Sequence, residues 1–509
     1  MQFMQQQSQG VPLPSLTAAD LGLGVILLSP VLIVILTGIV VLLVDLIITD
    51  WLSRRPLMWI ASLGLVLALG ACGVLYGAGY VGKTAFGGFL VMDGFALFFQ
   101  ALFLVAAILV LLSATTFADR EELFEAEFYI MVLFSTGGLM LMAAGNELMS
   151  IYLALEVTSL SLAFLASWNK RDTIAGQGLK STEAGIKFFL LSAMSTAMLL
   201  YGMALLYGAT GATTLVDISR VLTGTPTPAA LLSVTMLVAG LGFKIAAAPF
   251  QLWTPDVYQG AATPATAFFS VGSKAAGFAV LLRIFNGALP GIATEWTVLF
   301  GVLAFVTMTV GNLIAIVQTN IKRLMAYSSI THVGYMLIGL AATPTDGSSA
   351  VMFYLLAYAF TNLGAFIVIT IMANYAPDDE ISGYTGLAQR SPGLAIGLSV
   401  ALLSLAGIPP FVGFFAKLYL FLAAIRSDSV GLQLLVLWAV IMSAVSLYYY
   451  GRVIHAMWMR EPAEQVQVTP ASFSQGLALG ASLIGMVVFG ILAAPFVNAA
   501  TAASAMFAR

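Results

Sequence analysis

The chain of 509 residues is 60% hydrophobic and only 8% charged, whereas soluble domains carry about 25% charged residues, so the composition is that of an integral membrane protein. The formal net charge of −3 argues against a nucleic-acid partner. One cysteine and two histidines cannot ligate an iron–sulfur cluster or a typical structural zinc site, and no Walker A motif follows a strand. We therefore expect no cofactor, no metal and no redox chemistry in this chain alone.

Long apolar segments predict an all-α polytopic membrane protein with about 14 transmembrane helices and short connections. A polar N-terminal tail, residues 1–21, precedes them and lacks the basic segment of a signal peptide. The predicted helices cover residues 22–49, 57–79, 91–115, 127–145, 148–168, 182–208, 229–253, 261–287, 294–319, 323–342, 348–375, 392–425, 431–459 and 473–500.

Basic residues are spread unevenly over the alternate connections. With the N-terminus outside, eleven basic residues fall in the inner connections, namely Arg54, Arg55, Arg120, Lys170, Arg171, Lys180, Lys322, Arg323, Arg390, Arg452 and Arg460. Five fall outside, namely Lys83, Arg220, Arg283, Arg426 and Arg509. Since basic connections stay cytoplasmic, both termini are predicted to face away from the cytoplasm.

Three sequence matches indicate an internal repeat. They join Lys187–Thr196 to Met352–Thr361, Gly145-Asn146 to Gly311-Asn312, and Pro249-Phe250 to Pro410-Phe411. The offset corresponds to five helices, an odd number, so the second copy must be inverted. The predicted division is three helices in 22–126, a five-helix repeat in 127–290, its inverted copy in 291–460, and a C-terminal helix in 461–509.

Two helices are predicted to be discontinuous. The stretch Gly242–Phe268 contains three prolines, and LSLAGIPPFVGFFAKLYLF contains the pair Pro409-Pro410. Proline cannot donate to the helical hydrogen-bond ladder, so it interrupts the helix. Transporters build ion sites beside such breaks because a break frees backbone carbonyls inside the protein. Lys244 and Lys417 lie close to these two breaks.

Six titratable residues fall within apolar helices, where a charge costs about 2.5–3.5 kcal/mol and is by default a functional hypothesis. We predict a proton relay formed by Glu156, Lys187, Lys244, Lys274, His332 and Lys417. Structural alternatives remain open. Glu156 and Lys244 could form an ion pair that only joins two helices, Lys187 could pair locally with Glu183 at i,i+4, and His332 could be a packing residue.

Four segments closely resemble the antiporter-like membrane subunits of respiratory complex I, the proton-pumping NADH-quinone oxidoreductase. They are LWTPDVYQGAATPATAFFSVGSK, KRLMAYSSITHVGYML, EAGIKFFLLSA and LAGIPPFVGFFAKLYLF, and the resemblance covers nearly the whole chain. It implies a fourteen-helix fold with two inverted five-helix repeats. It also implies that Glu156 and Lys244 form a switchable pair, that Lys274 is the central lysine, and that Lys417 faces the exit side.

The resemblance implies a proton-translocating subunit driven by quinone reduction elsewhere in the complex. NADH, FMN, iron–sulfur clusters and quinone would be bound by partner subunits, and the neighbours would be other antiporter-like and small membrane subunits. The location would be a cell inner membrane or a thylakoid-type membrane. The alternatives are a multisubunit cation/proton antiporter, the photosynthetic ferredoxin-plastoquinone complex, and a membrane scaffold. Copurifying flavin and iron–sulfur subunits would favour a redox complex.

Overall fold

The computed structural model describes residues 17–47, 55–115, 125–169, 177–376, 378–461, 468 and 471–507. The described helices are α1 (Ala18–Leu27), α2 (Ser29–Ile47), α3 (Arg55–Gly77), α4 (Gly94–Ser113), α5 (Glu125–Ala144), α6 (Leu148–Ala166), α7 (Gln177–Thr210), α8 (Leu215–Val221), α9 (Pro228–Ile245), α10 (Trp253–Gly260), α11 (Thr263–Ala288), α12 (Ala293–Ile316), α13 (Ile321–Ala341), α14 (Pro344–Met372), α15 (Leu387–Arg390), α16 (Pro392–Ala406), α17 (Val412–Ile425), α18 (Val430–Met459), α19 (Phe473–Ile491) and α20 (Ala493–Ser504).

The prediction of fourteen spans is confirmed. Within the described ranges, thirteen helical segments are long and apolar enough to cross a membrane, and α16 with α17 forms a fourteenth, interrupted span. Two predicted helices are wrong in detail. The segment 22–49 is divided into α1 and α2 at Leu28, and 473–500 is divided into α19 and α20 at Leu492, where the backbone leaves helical geometry. The division of the chain into 22–126, 127–290, 291–460 and 461–509 stays a prediction.

A short hairpin that the sequence analysis missed lies between α3 and α4. Strands β1 (Lys83–Ala85) and β2 (Leu90–Met92) pair antiparallel, with Thr84 opposite Val91. Each strand has only three residues, so no alternation of polar and apolar residues was long enough to indicate it. Asp93 follows β2 directly and caps α4 by accepting a hydrogen bond from Ala96 N at 2.7 Å.

Both predicted breaks are present, at equivalent points of the two repeats. The first half-helix, α9, is followed by Ala246, which has a left-handed backbone with φ 62°. The second, α16, is followed by Gly407, with φ 90°. Gly407 lies 161 residues after Ala246, the same offset that separates Pro249 from Pro410. The first broken span continues through α10 to Gly260, beyond its predicted end at residue 253.

The hairpins α5–α6 and α12–α13 show the repeat most clearly. An added Cβ on Gly138 would lie 2.4 Å from Thr158 Oγ1, and one on Gly311 would lie 2.5 Å from Thr331 Oγ1. The second pair follows the first by 173 residues. The predicted match of Gly145-Asn146 with Gly311-Asn312 is therefore wrong, because Gly145 follows the end of α5 whereas Gly311 lies within α12.

The innermost helices are α11, α13 and α14, which are almost completely enclosed by the others. Two basic residues that were assigned to connections are buried in this region. Arg283 lies in α11 and binds Asp93 through both guanidinium NH groups, at 2.8 and 3.0 Å. The Asp93 side chain is itself only 14% exposed. Lys322 is the second residue of α13 and pairs with Asp379 at 2.9 Å. Burial raises the pKa of the Asp379 carboxyl, while the charge of Lys322 acts against that rise.

Removing Arg283 and Lys322 from the two counts leaves ten inner and four outer basic residues, so the bias keeps its direction. Several of the counted residues lie outside the described ranges, namely Arg54, Arg120, Lys170, Arg171 and Arg509, as does most of the tail 1–21. The orientation of the chain in the membrane therefore stays a prediction.

Candidate functional site

Lys244 lies in the last turn of α9, beside the first helix break. It is buried, and its Nζ donates to Ser159 Oγ on α6 at 2.5 Å. The Phe188 ring lies 5.8 Å from Nζ. The carboxyl end of a helix favours a cation because its last carbonyls lack helical partners. At this end, Phe243 O accepts from the Trp253 indole at 2.9 Å and from Ala246 N at 3.0 Å, while the Nζ of Lys244 is bound to the Ser159 side chain.

Glu156 lies three residues before Ser159 on α6 and is half-buried. It is close enough to Lys244 for the two charges to interact. No ion pair within 4 Å joins them in the described part of the chain, where the Nζ of Lys244 contacts Ser159 instead. The structure thus holds the predicted Glu156–Lys244 pair apart. The neighbours Leu153, Val157 and Leu160 are exposed, so Glu156 lies at the edge of the helix bundle.

Lys274 lies at the centre of α11 and is buried by α10 and α13. Its Nζ donates to Tyr258 Oη at 2.7 Å and to Ser329 Oγ at 2.6 Å. The Tyr258 ring also lies 5.0 Å from Nζ, within range of a cation–π interaction. A π-helical stretch, Phe269–Ser273, ends directly before Lys274. Such wide turns often occur at functional sites because they redirect side chains.

Small residues lie on both sides of Lys274 in α11. Gly277 serves close packing, because an added Cβ would lie 2.6 Å from Ile245 Cγ2 on α9. This contact brings α11 against the first helix break. Ser273 donates to the Lys244 carbonyl at 3.4 Å, a second link between the two lysine-bearing segments.

His332 lies on α13, three residues after Ser329, among tyrosine hydroxyls. Its Nδ1 lies 2.6 Å from Tyr354 Oη and its Nε2 lies 3.3 Å from Tyr450 Oη. Tyr450 Oη in turn lies 2.5 Å from Ser328 Oγ. A cavity of about 10 Å³ adjoins the imidazole, close to the ~10–15 Å³ that one water molecule needs. Both ring nitrogens therefore have a hydroxyl partner, which can either donate or accept a hydrogen bond.

Lys417 lies on α17, just after the second break. Its Nζ donates to Ala406 O at 2.9 Å and to Ser443 Oγ at 2.8 Å, and the Tyr335 ring lies 5.1 Å away. Ala406 is the last residue of α16, so its carbonyl is one that the break freed. At this second break, as expected, the lysine donates a hydrogen bond to a carbonyl that has lost its helical partner. The charges of Lys417 and Lys274 both reach His332, so the three groups are electrostatically coupled.

Lys187 does not point into the interior, contrary to expectation. It pairs with Glu183 at 2.6 Å, the local interaction that had been considered as the alternative, and with Asp256 on α10 at 2.7 Å. Asp256 also binds Arg323 at 3.0 Å. The Lys187 side chain is 39% exposed and borders an open cavity of about 130 Å³. Lys187 therefore belongs to a charged mouth, formed by Glu183, Lys187, Asp256 and Arg323, and not to the buried lysine series.

The sequence analysis missed the hydroxyl groups that hold the titratable residues. They are Ser159, Tyr258, Ser329, Tyr354, Tyr450 and Ser443. Serine and tyrosine are common in apolar helices, so type and spacing alone gave no signal for most of them. In the described part of the chain, no group of three or more His, Cys, Asp and Glu side chains is placed to hold a metal ion.

The chain is similar to known proteins over most of its length. Residues 144–444 match the family described as NADH:quinone oxidoreductase/Mrp antiporter, transmembrane. The chain is 42% identical to NADH-quinone oxidoreductase subunit N of Trichlorobacter lovleyi, over 91% of this chain and 94% of that protein. It is 40% identical to NAD(P)H-quinone oxidoreductase subunit 2 of Gloeobacter violaceus, over 93% and 91% of the two chains.

Solved structures show the same fold. A chain of respiratory complex I from Thermus thermophilus, with bound aureothin, is 34% identical and superposes with a TM-score of 0.76, over 92% of this chain and 98% of that one. A chain of the Mrp complex from a Dietzia species is 20% identical with a TM-score of 0.79, over 96% and 97%. The second likeness extends to the fold alone.

Proposed function

Since this chain belongs to the NADH:quinone oxidoreductase/Mrp antiporter family of membrane subunits, we propose that its buried titratable groups form the proton-translocating path of an NADH-quinone oxidoreductase. The chain is a multi-pass subunit of the inner membrane, or of a thylakoid-type membrane, and other membrane subunits of the complex are its partners. NADH, FMN, iron–sulfur clusters and quinone are bound by other subunits of the complex. The chain itself supplies proton-carrying side chains and no redox group.

The observation that carries the proposal is the run of polar contacts through the enclosed helices. Lys274 contacts Ser329, and His332 lies one helical turn further along α13. The imidazole reaches Tyr450, and Lys417 follows on α17 within electrostatic range. Protons cross an apolar interior only where such groups and occasional waters divide the burial cost into small steps. Oxygen and nitrogen atoms supply such positions between Lys274 and Ser329 and between His332 and Tyr450.

The charged mouth is the uptake end of this path in our proposal. It is formed by the beginnings of α7 and α13 and by α10, and in the predicted topology this end faces the cytoplasm. Asp256 lies two residues before Tyr258, the residue that binds Lys274. The half-helix α10 thus carries both the partly exposed Asp256 carboxylate at the mouth and the Tyr258 hydroxyl that binds the central lysine. A proton arriving at the mouth has a short route inward along one element.

Glu156 and Lys244 form the switch in this proposal. When the pair is closed, the carboxylate neutralises Lys244, and Lys274 holds its proton without competition. When it is open, as in this structure, the charge on Lys244 acts on Lys274. Two charges about 8 Å apart repel by roughly 2 kcal/mol at an effective dielectric of 20, which changes an equilibrium by more than tenfold. That is enough to move a proton from Lys274 towards His332.

Substitution of Lys244 tests the proposal. In the assembled complex, Lys244→Ala is expected to depress NADH-driven proton pumping and coupled quinone reduction, whereas NADH oxidation by an acceptor that bypasses quinone continues. Lys244→Arg is expected to be less harmful because the charge is kept. Pumping is measured in inverted membrane vesicles, with assembly checked on native gels. Normal pumping by an assembled Lys244→Ala complex refutes the switch and leaves a structural pair.

A further inference from the structure

We infer that Ser159 is a positioning residue that holds Lys244 in the open state of the Glu156–Lys244 switch. This inference rests on the proposed function and adds to it a group that competes with the carboxylate. The hydroxyl lies 2.5 Å from Lys244 Nζ, and both side chains are buried. In the described part of the chain, Ser159 is the only hydrogen-bonding partner of that ammonium group.

The orientation of the Ser159 hydroxyl is fixed by its own helix. Its single proton is donated to Leu155 O at 2.6 Å, four residues earlier. A hydroxyl has one proton and two lone pairs, so the lone pairs remain for Lys244. Ser159 therefore presents an acceptor of fixed direction. Every partner of that acceptor must be an N–H or O–H donor, which an amine satisfies whether or not it is charged.

Glu156 and Ser159 are alternative partners for the same amine. Residues three apart lie on the same face of a helix, and the rise of 1.5 Å per residue separates these two by about 4.5 Å along the axis. The four-carbon side chain of lysine covers such a distance by changing rotamers, without any movement of α9. Lys244 thus has one charged and one neutral partner on α6. The balance between the two decides how long the pair stays open.

The second repeat supports a role for this position. The α5–α6 and α12–α13 hairpins correspond at an offset of 173 residues, which relates Ser159 to His332. His332 also contacts side chains of other helices, Tyr354 and Tyr450. In both repeats this position faces the titratable groups in the interior. In the first repeat it holds a lysine, and in the second it carries a titratable ring itself.

The test is Ser159→Ala in the whole complex. A hydrogen bond to a charged group contributes enough to shift an equilibrium about tenfold or more, so the switch moves to the closed state by that factor. NADH-driven pumping is expected to fall in proportion to the open fraction, by about twofold if the open state predominates beforehand and by about tenfold if it is the minor state. Ser159→Thr keeps the hydroxyl and is expected to restore pumping to near the unmodified level. Native gels and electron transfer to an acceptor that bypasses quinone confirm assembly of each variant.

Ser161→Ala is the matched control. Ser161 is on the same helix and donates to Val157 O at 2.9 Å, the same kind of local bond, but among the residues that the structure describes it has no hydrogen bond to a lysine. Its replacement is expected to leave pumping unchanged. A structure of the Ser159→Ala complex supplies a second measurement, in which Lys244 Nζ is expected within 4 Å of a Glu156 carboxylate oxygen.

The outcomes separate this inference from the proposal beneath it. If Lys244→Ala abolishes pumping but Ser159→Ala pumps normally, Ser159 does not position the amine and only this inference is overturned. Equal loss in Ser159→Ala and Ser161→Ala also overturns it, because a general weakening of α6 then explains both. If Lys244→Ala itself pumps normally, the proposed function is refuted together with the inference.

Discussion

Tyr258→Phe removes one hydrogen-bond acceptor of Lys274, the central lysine, and leaves the packing around that lysine in place. The hydroxyl accepts from Lys274 Nζ at 2.7 Å, and the ring of the same residue lies 5.0 Å from that atom. Phenylalanine keeps the ring and its contact with the ammonium, so the substitution separates the hydrogen bond from the cation–π interaction. Ser329 then remains as the single hydroxyl partner of Lys274.

The expected magnitude follows from the number of partners. A hydrogen bond to a charged group contributes about 1.5–3 kcal/mol, so the protonated form of Lys274 loses roughly a factor of ten or more relative to the neutral form. Deletion of the tyrosine ring, as in Tyr258→Ala, removes the cation–π contribution and leaves a cavity as well. We therefore expect pumping to decrease about tenfold in Tyr258→Phe and further in Tyr258→Ala.

The assay is NADH-driven proton uptake by inverted vesicles, normalised to electron transfer to an acceptor that bypasses quinone. Tyr384→Phe is the matched control, because Tyr384 is equally buried but lies in the short 3-10 segment Ile381–Tyr384, away from the run of titratable groups. It makes the same chemical change and is expected to pump normally. Unchanged pumping in Tyr258→Phe, together with a strong loss in Lys274→Ala, refutes the role given to this hydroxyl.

Three other predictions concern stability, backbone geometry and orientation. Asp93→Ala is expected to destabilise the protein by about 3–5 kcal/mol, because it leaves the buried Arg283 without its carboxylate partner. Asp217→Ala breaks an exposed ion pair and is expected to cost about 0–1 kcal/mol. The two variants are compared by the temperature of half-inactivation. Gly407→Ala is expected to lower pumping, since φ is 90° and the new Cβ would lie 3.0 Å from Lys417 Cδ, whereas Ala246→Gly at φ 62° is expected to be tolerated. Single cysteines near the two ends should be labelled from the side opposite to cysteines in 169–181, and labelling of all three from outside contradicts the predicted topology.

The broad architecture was predictable because it depends on properties that a sequence displays directly. A bilayer requires apolar helices of known length, so fourteen spans could be counted. Proline in the interior of a helix removes a hydrogen bond and clashes with the preceding turn, so the breaks at Pro249 and Pro410 were also predictable. The burial of Lys244, Lys274, His332 and Lys417 followed from their apolar surroundings. These features depend on local composition and need no knowledge of which helices touch.

Features that depend on contact between helices were not predictable in the same way. Lys187 was expected inside, but its orientation depends on Asp256, 69 residues away in sequence. Arg283 was assigned to a connection because nothing near it indicates that Asp93 lies alongside. The repeat was found, but one of its three matches was wrong, since Gly-Asn recurs by chance. Tertiary partners decided each of these cases, and hydropathy carries no information about them.

The differences between the two repeats suggest how the path acquires a direction. At the offset of 161 residues, Asp256 on α10 corresponds to Lys417 on α17. Because the second repeat is inverted, equivalent positions lie towards opposite sides of the membrane. The carboxylate of Asp256 borders the open, charged mouth, whereas Lys417 is enclosed and held by Ala406 O and Ser443. An acidic group at the uptake side attracts protons, and a buried lysine at the other side releases them readily when charge accumulates behind it. Asp256→Asn should therefore slow uptake, whereas Lys417→Ala should block release, a difference that single-turnover proton measurements on the two faces of sealed vesicles distinguish.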